Sequence, residues 1–211
     1  MSRSPTSKGT RAPDDAASLE LTSGELAALL RVDLKTIHNW VNRGHLVGRR
    51  TSGRHLRFDR IQVVRFMRGY GYPVPERLSS APLRVLVESP RGGAWSVVRH
   101  LRRGSTLTLC RGLFQAALAL ARGGQEILVL DLDARPLDLV AELVQALRQE
   151  PLTASVWLIG LGRTRSTRER FFKLGGDAAL PTGSEREVRA LARWAIGAEP
   201  EPPRRAELRQ K

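Results

Sequence analysis

Residues 21–44, LTSGELAALLRVDLKTIHNWVNRG, carry two helix signatures around a tight turn. Thr22 and Glu25 stand at the spacing at which each side chain can satisfy the other's backbone N–H at a helix start. Leu26, Leu29 and Leu30 give the first short helix one apolar face. Val32-Asp33 reads as the turn, with Asp33 as N-cap of a second helix from about Leu34 to Asn42. In that helix Ile37, Trp40 and Val41 face inward, and Gly44 ends it. Two short helices joined in this way form a helix-turn-helix.

Outward from this core, Leu46–Arg50 and His55–Phe58 can pair as strands around Thr51-Ser52-Gly53-Arg54, because glycine in a short connection is a hairpin signal. Leu56 and Phe58 share one face; Arg57 takes the other and Arg54 the tip. Asp59 then caps a third helix that buries Ile61, Val64 and Met67 or Phe66. These quoted stretches, with Trp40, Gly44, a Gly-centred wing and an aromatic strand end, resemble the MerR-like or excisionase-type winged helix-turn-helix over residues 20–70. The resemblance implies sequence-directed binding of double-stranded DNA. A helix-turn-helix reads the major groove near the start of its second helix, which makes Lys35, Thr36, His38 and Asn39 the base-facing candidates and Arg43 a phosphate contact. Arg49, Arg50, Arg54, His55 and Arg57 of the wing are then expected on the phosphate backbone or in the minor groove.

Charge agrees with this reading. The chain of 211 residues carries a formal net charge of +14, which points to a polyanionic partner. Residues 31–70 hold ten Lys/Arg against Asp33 and Asp59. Heavy use of arginine also follows from a GC-rich genome, and a charge run by itself is more often a solvated face. Cys110 is the single cysteine, so there is no disulfide framework and no thiolate zinc cluster. His38 and His55 have no Cys or acidic partner at ligand spacing. No apolar run approaches the roughly 20 residues of a membrane span, and residues 1–19 lack an apolar signal core and read as a disordered arm.

Residues 71–82, GYPVPERLSSAP, read as a Pro/Ser linker. Beyond it, RVLVE, STLTLC, EILVLD, SVWLIGL and DAAL alternate with five helical stretches, the pattern of a parallel doubly wound sheet over residues 83–197. The expected class is therefore α/β: a small winged helix-turn-helix domain followed by a flavodoxin-like, five-stranded parallel (βα)5 domain, with 198–211 as a disordered tail. The second domain resembles a response-regulator receiver. A working receiver has an acidic pair after the first strand, a phosphoacceptor Asp ending the third, a Ser/Thr ending the fourth and a Lys ending the fifth. Here Glu88-Ser89, Asp131, Gly160 and Thr182 fall at those places. The resemblance thus implies a degenerate receiver with Asp131 as a vestigial phosphoacceptor, and only a weak Mg²⁺ site at Glu88 and Asp131. Ser89-Pro90-Arg91-Gly92-Gly93 is not a dinucleotide fingerprint, Asp131-Leu132-Asp133-Ala134 lacks the His of a cobalamin motif, and no nucleophilic set is readable.

These readings converge on a bacterial transcriptional regulator of the cytoplasm and nucleoid, without enzymatic activity or cofactor and away from membranes. Its second domain is expected to dimerise through helices 164–174 and 185–196 or to dock a protein partner. Three alternatives stand beside it: a phosphorylation-controlled regulator using Asp131, an excisionase-like architectural protein, and an adaptor in which DNA binding has lapsed.

Overall fold

The computed structural model describes residues 20–90, 95–102 and 104–209. The expected arm at 1–19 lies outside the described residues. The chain opens with β1 (Glu20–Thr22), α1 (Ser23–Leu30) and α2 (Leu34–Asn42). The wing strands β2 (Arg49–Arg50) and β3 (Leu56–Asp59) follow, then α3 (Arg60–Gly69) and the one-turn α4 (Glu76–Ser79). The alternating part runs β4 (Leu83–Glu88), α5 (Trp95–Leu101), β5 (Ser105–Cys110), α6 (Leu113–Ala121) and β6 (Ile127–Asp131). It continues through α7 (Leu137–Gln149), β7 (Trp157–Leu161), α8 (Arg165–Leu174), β8 (Ala178–Leu180), α9 (Glu185–Ala195) and β9 (Glu207–Leu208).

In the first part, β1 and β2 flank β3 in an antiparallel sheet. Leu26, Ile37, Phe58 and Val64 close a small core beneath it, with Trp40 packed against Phe66 at 4.9 Å. In the second, the strands order β5-β4-β6-β7-β8-β9, with the first five parallel. That order is the flavodoxin-like doubly wound arrangement. Because β4, β6 and β7 are covered on both faces, their sequences are nearly unbroken apolar runs. Val85, Val129 and Ile159 fill one side of the sheet with α5 and α9, and Leu128, Leu158 and Phe171 fill the other.

Two expectations need correction. The stretch from 198, read as a disordered tail, carries β9, which runs antiparallel along the outer edge of β8. Its anchor is Arg168, almost fully buried, whose Nε and Nη2 donate to Glu207 and whose Nη1 donates to the Gly162 carbonyl. An open strand edge is a template for unwanted pairing, and β9 closes this one from within the chain. The stretch 71–82, read as a linker, contains α4, whose Leu78 is buried in the winged core.

The junction between the two parts is built on α3. Val63, Val64, Phe66 and Met67 face the winged core, whereas Ile61 is buried in the core of the α/β part. Arg60 is 1% exposed. Its Nε and Nη2 grip Glu126, Nη1 donates to the Leu78 and Ala81 carbonyls, and Nη2 also donates to the Pro82 carbonyl. A guanidinium has five N–H donors, and five bonds satisfy them here. Further along the helix, Gln62 donates to the Ser155 carbonyl, Arg65 to Asp177, and Arg68 to the carbonyls of Trp194 and Glu199. The winged part is therefore packed onto the end of the sheet where the parallel strands begin.

Breaking a buried ion pair from one side leaves the other charge desolvated and costs about 3–5 kcal/mol. Arg60→Met is expected to destabilise the full chain by that order in urea titration, and to separate one unfolding transition into two. A loss below about 1 kcal/mol, the range of an exposed pair, with a single transition retained, would show that Arg60 does not hold the junction.

Candidate nucleic-acid interface

Helix α1 starts as its sequence dictates. The Thr22 hydroxyl accepts from the Glu25 N–H at 3.1 Å, and a Glu25 carboxylate oxygen accepts from the Thr22 N–H at 2.7 Å. The Thr22 N–H bond holds the Glu25 carboxyl below its ordinary pKa, and the Thr22 hydroxyl beside it adds to this. The turn into α2 places Arg31 in the left-handed region, at φ 55°. Asp33 stands at the N-cap of α2, but its side chain makes no capping bond. Only its carbonyl is used, accepting from Thr36 at 2.9 Å.

Helix α2 is anchored by Ile37, fully buried, and by Trp40 and Val41, half-buried. The same periodicity turns Lys35, His38 and Asn39 outward, all exposed, and leaves Thr36 half-buried. Arg43 is the C-cap residue, exposed at the far end of the helix.

The wing forms as a hairpin with Arg49 opposite Arg57 and Arg50 opposite Leu56. Its tip is closed by the Thr51 N–H to the His55 carbonyl at 2.9 Å and the Arg54 N–H to the Thr51 carbonyl at 2.8 Å. The left-handed residue of this turn is Arg54, at φ 61°, and not the neighbouring Gly53. A side chain in that region costs about 1–2 kcal/mol. Arg50, Arg54 and His55 are exposed, and Arg57 is half-buried. Arg49 departs from expectation: its Nε and Nη2 donate to Glu20 of β1, which makes it a structural clamp on the sheet.

Between the wing, the start of α1 and the first turns of α2 runs an open groove of about 510 Å³. His38, Arg50, Arg54, His55 and Arg57 line it, together with Ser23 and Gly24 at the helix start. Those last two were missed in the sequence, where nothing in a Ser-Gly pair marks a groove wall. Lys35 and Asn39 share the outer face of α2, outside this groove. Within the described residues no carboxylate lies at ion-pair distance from Lys35, Arg43, Arg50, Arg54 or Arg57. The arginines of α3, counted in the same basic run, turn to the junction and do not join this surface.

The tops of β4 and β6 form the second place of interest. Glu88 is fully buried, with Oε1 accepting from Arg135 Nε at 3.0 Å. Burial pushes the Glu88 carboxyl up from its ordinary value; the Arg135 bond opposes this and the nearby Asp131 adds to it. Asp131 accepts from the Ser89 hydroxyl at 3.3 Å and from the Asp133 N–H at 3.2 Å. Thr182 does not face Asp131; its hydroxyl donates to Asp133, which also accepts from the Arg163 N–H. Gly160 pairs with Leu130, and a Cβ there would fall 2.6 Å from Leu132 and 2.8 Å from Phe171. This donor set does not fit Mg²⁺, which needs near-octahedral oxygen ligands. A guanidinium already sits on Glu88, and among the described residues no group of three or more His, Cys, Asp and Glu is placed to hold a metal ion. Arg135 escaped the sequence reading because nothing in a lone arginine points to a carboxylate on another strand. Cys110 is buried nearby with its thiol pushed up to about 11, mainly by desolvation and further by Glu88, so it is a poor nucleophile.

Residues 20–70 match the family model for a helix-turn-helix domain. No curated protein matches the chain. Among solved structures, the receiver domain of Francisella response regulator 1452 is 18% identical, with a TM-score of 0.47, covering 55% of this chain and 97% of its own. The chemotaxis response regulator CheY4 of Vibrio cholerae is 13% identical at a TM-score of 0.47, covering 55% and 99%. The RcsB response regulator of Salmonella typhimurium is 10% identical at 0.48, covering 58% and 64%. These are likenesses of fold. Among the described residues no helix is long and apolar enough to cross a membrane.

The turn itself is open to test. Arg54→Gly and Arg54→Ala remove the same charge, but only alanine keeps the left-handed strain, worth about 1 kcal/mol. The glycine variant is expected to melt about 2–4 °C above the alanine variant. Equal melting temperatures would place the strain elsewhere in the turn.

Proposed function

We propose that the chain is a DNA-binding transcriptional regulator whose winged helix-turn-helix reads duplex DNA through α2 and grips its backbone through the wing. The observation that carries this reading is the division of the basic residues. The arginines of α3, and Arg148 and Arg168 of the α/β part, are held by carboxylates or carbonyls of the same chain. Those on the wing tip and on α2 face solvent without a carboxylate. Like charges gathered around one groove repel each other, and a phosphate backbone relieves that repulsion. On α2, Asn39 has the geometry to bond an adenine edge with both amide groups, and Lys35 and His38 reach bases or phosphates beside it. Ser23 and Gly24 set the start of α1 against the same groove.

The α/β part acts here as a degenerate receiver, the regulatory role that its resemblance implies, and no catalytic role is assigned to it. Arg135 on Glu88, and Thr182 on Asp133 in place of a lysine toward Asp131, support a reading without phosphoryl transfer. The MerR-like or excisionase-type subtype rests on the wing and helix residues quoted above. One winged unit reads too few base pairs to select a genomic site, so we assign the chain a homodimeric state with two-fold-related half-sites. The outer edge of β8 is closed by β9, which leaves the exposed faces of α8 and α9 and the far edge at β5 for that contact.

Full-length protein is expected to protect an inverted repeat on duplex DNA, with affinity falling steeply as salt rises. Arg50→Ala and Arg54→Ala weaken binding to all sequences and flatten the salt slope, whereas Asn39→Ala relaxes base preference at about 1–3 kcal/mol. Wing variants with parental affinity across the salt series, measured by fluorescence anisotropy, would sink the assignment.

A second measurement addresses Asp131. Acetyl phosphate with Mg²⁺ is expected to leave both intact mass and DNA affinity unchanged, and Asp131→Asn to match the parent. A stoichiometric aspartyl phosphate that tightens DNA binding would establish the phosphorylation-controlled alternative.

A further inference from the structure

A further cavity lies away from both the wing groove and the top of the sheet. It opens between α3, the start of β8, the end of α9 and β9, and holds about 650 Å³. Small-molecule sites run from about 300 to 1,000 Å³ and combine apolar walls with a few converging polar groups. The walls here are aromatic and aliphatic. Trp157 and Trp194 stand 6.0 Å apart at 46°, with Ile61, Val64, Ala195 and Leu208 around them.

The polar lining is unbalanced. Arg65, Arg68 and Arg209 meet a single carboxylate, Asp177. That carboxylate is already in use: Oδ1 takes Arg65 at 3.0 Å, and Oδ2 takes Arg148 at 2.6 Å and the Leu158 N–H at 2.9 Å. Arg68 is held by neutral carbonyls and lies over the Trp194 ring at 4.8 Å. Burial pulls its pKa below the ordinary arginine value. No carboxylate among the described residues lies at ion-pair distance from Arg68 or Arg209. A partly desolvated cation without a carboxylate partner is stabilised by an anion, and the half-buried Trp194 beside aliphatic walls favours a flat, apolar body.

We propose that this cavity is a binding site for a small aromatic carboxylate, its ring against the open side of Trp194 and the apolar wall of Val64, Ala195 and Leu208, and its carboxylate on Arg68 and Arg209. Such a ligand touches α3 and the α/β part at once, so it bears on the junction that holds the DNA-reading unit. The site itself does not depend on DNA binding, and its test uses no DNA.

The probe is anilinonaphthalene sulfonate titrated into the full-length protein. One saturable site is expected, displaced by indoleacetate but not by tryptamine or inorganic phosphate. Gly69 lines the cavity, and a Cβ there meets nothing within 4 Å, so Gly69→Leu places a side chain in open space. It is expected to weaken the probe at least tenfold, and Arg68→Met to do so by about tenfold. Arg209→Gln, on an exposed residue, is expected to cost severalfold and replaces either variant if its thermal melt shows misfolding. Parental binding by these variants, displacement by tryptamine as readily as by indoleacetate, or displacement by phosphate alone would each overturn the proposal.

Discussion

The Arg60 guanidinium is the constraint on which the arrangement of the molecule depends. It is shut away from water, and each of its five donors is matched: Glu126 of the sheet end, and the carbonyls of Leu78, Ala81 and Pro82. A buried cation is tolerated only under such complete pairing. The pairing also ties three chain segments together. The residues joining the two parts cannot then act as a loose tether, because their carbonyls are ligands of the same guanidinium. A winged unit that would otherwise swing on a Pro/Ser linker is set in one orientation on the sheet.

From that junction the other roles of arginine follow. On α3, and at two places in the α/β part, arginine is a structural residue: Arg148 ties the Gly175, Ala154 and Val156 carbonyls to Asp177, and Arg168 ties β9 to the β7–α8 loop. On the wing, Arg49 clamps Glu20, whereas Arg50 and Arg54 remain in solvent. The formal charge of +14 therefore overstates the surface available to a polyanion and understates how concentrated it is. Among what remains, Arg50, Arg54 and Arg57 gather with His38 and His55 around one groove, and that local concentration is the stronger argument for a phosphate partner.

A protein cation also meets a buried carboxylate at the top of the sheet. Arg135 lies on Glu88, and the Thr182 hydroxyl and the Arg163 N–H converge on Asp133. These bonds cross-link the loops at this end of the sheet. A flavodoxin-like sheet does not by itself confer that switch, and here the fold supplies a rigid base for the winged unit and one wall of the aromatic cavity.

Much of this was legible in the sequence, for local reasons. The Thr22–Glu25 capping box, the apolar face of α2, the hairpin of the wing and the alternation of apolar strands with helices all depend on residues a few positions apart. The outward face of α2 followed from the same 3.6-residue period. The roles of individual arginines were not legible. Arg54 and Arg60 are the same residue type a few positions apart in one basic run, yet one faces solvent and the other is buried. Their roles are decided by partners 66 residues along the chain for Arg60, 112 for Arg65 and 126 for Arg68. The tail was misread for the same reason: two strand residues show no periodicity, and β9 exists only because β8 offers an edge and Arg168 an anchor. Near-neighbour patterns determine which elements form. Which charges are satisfied within the protein, and which await a partner, is set by long-range burial that only the assembled tertiary structure creates.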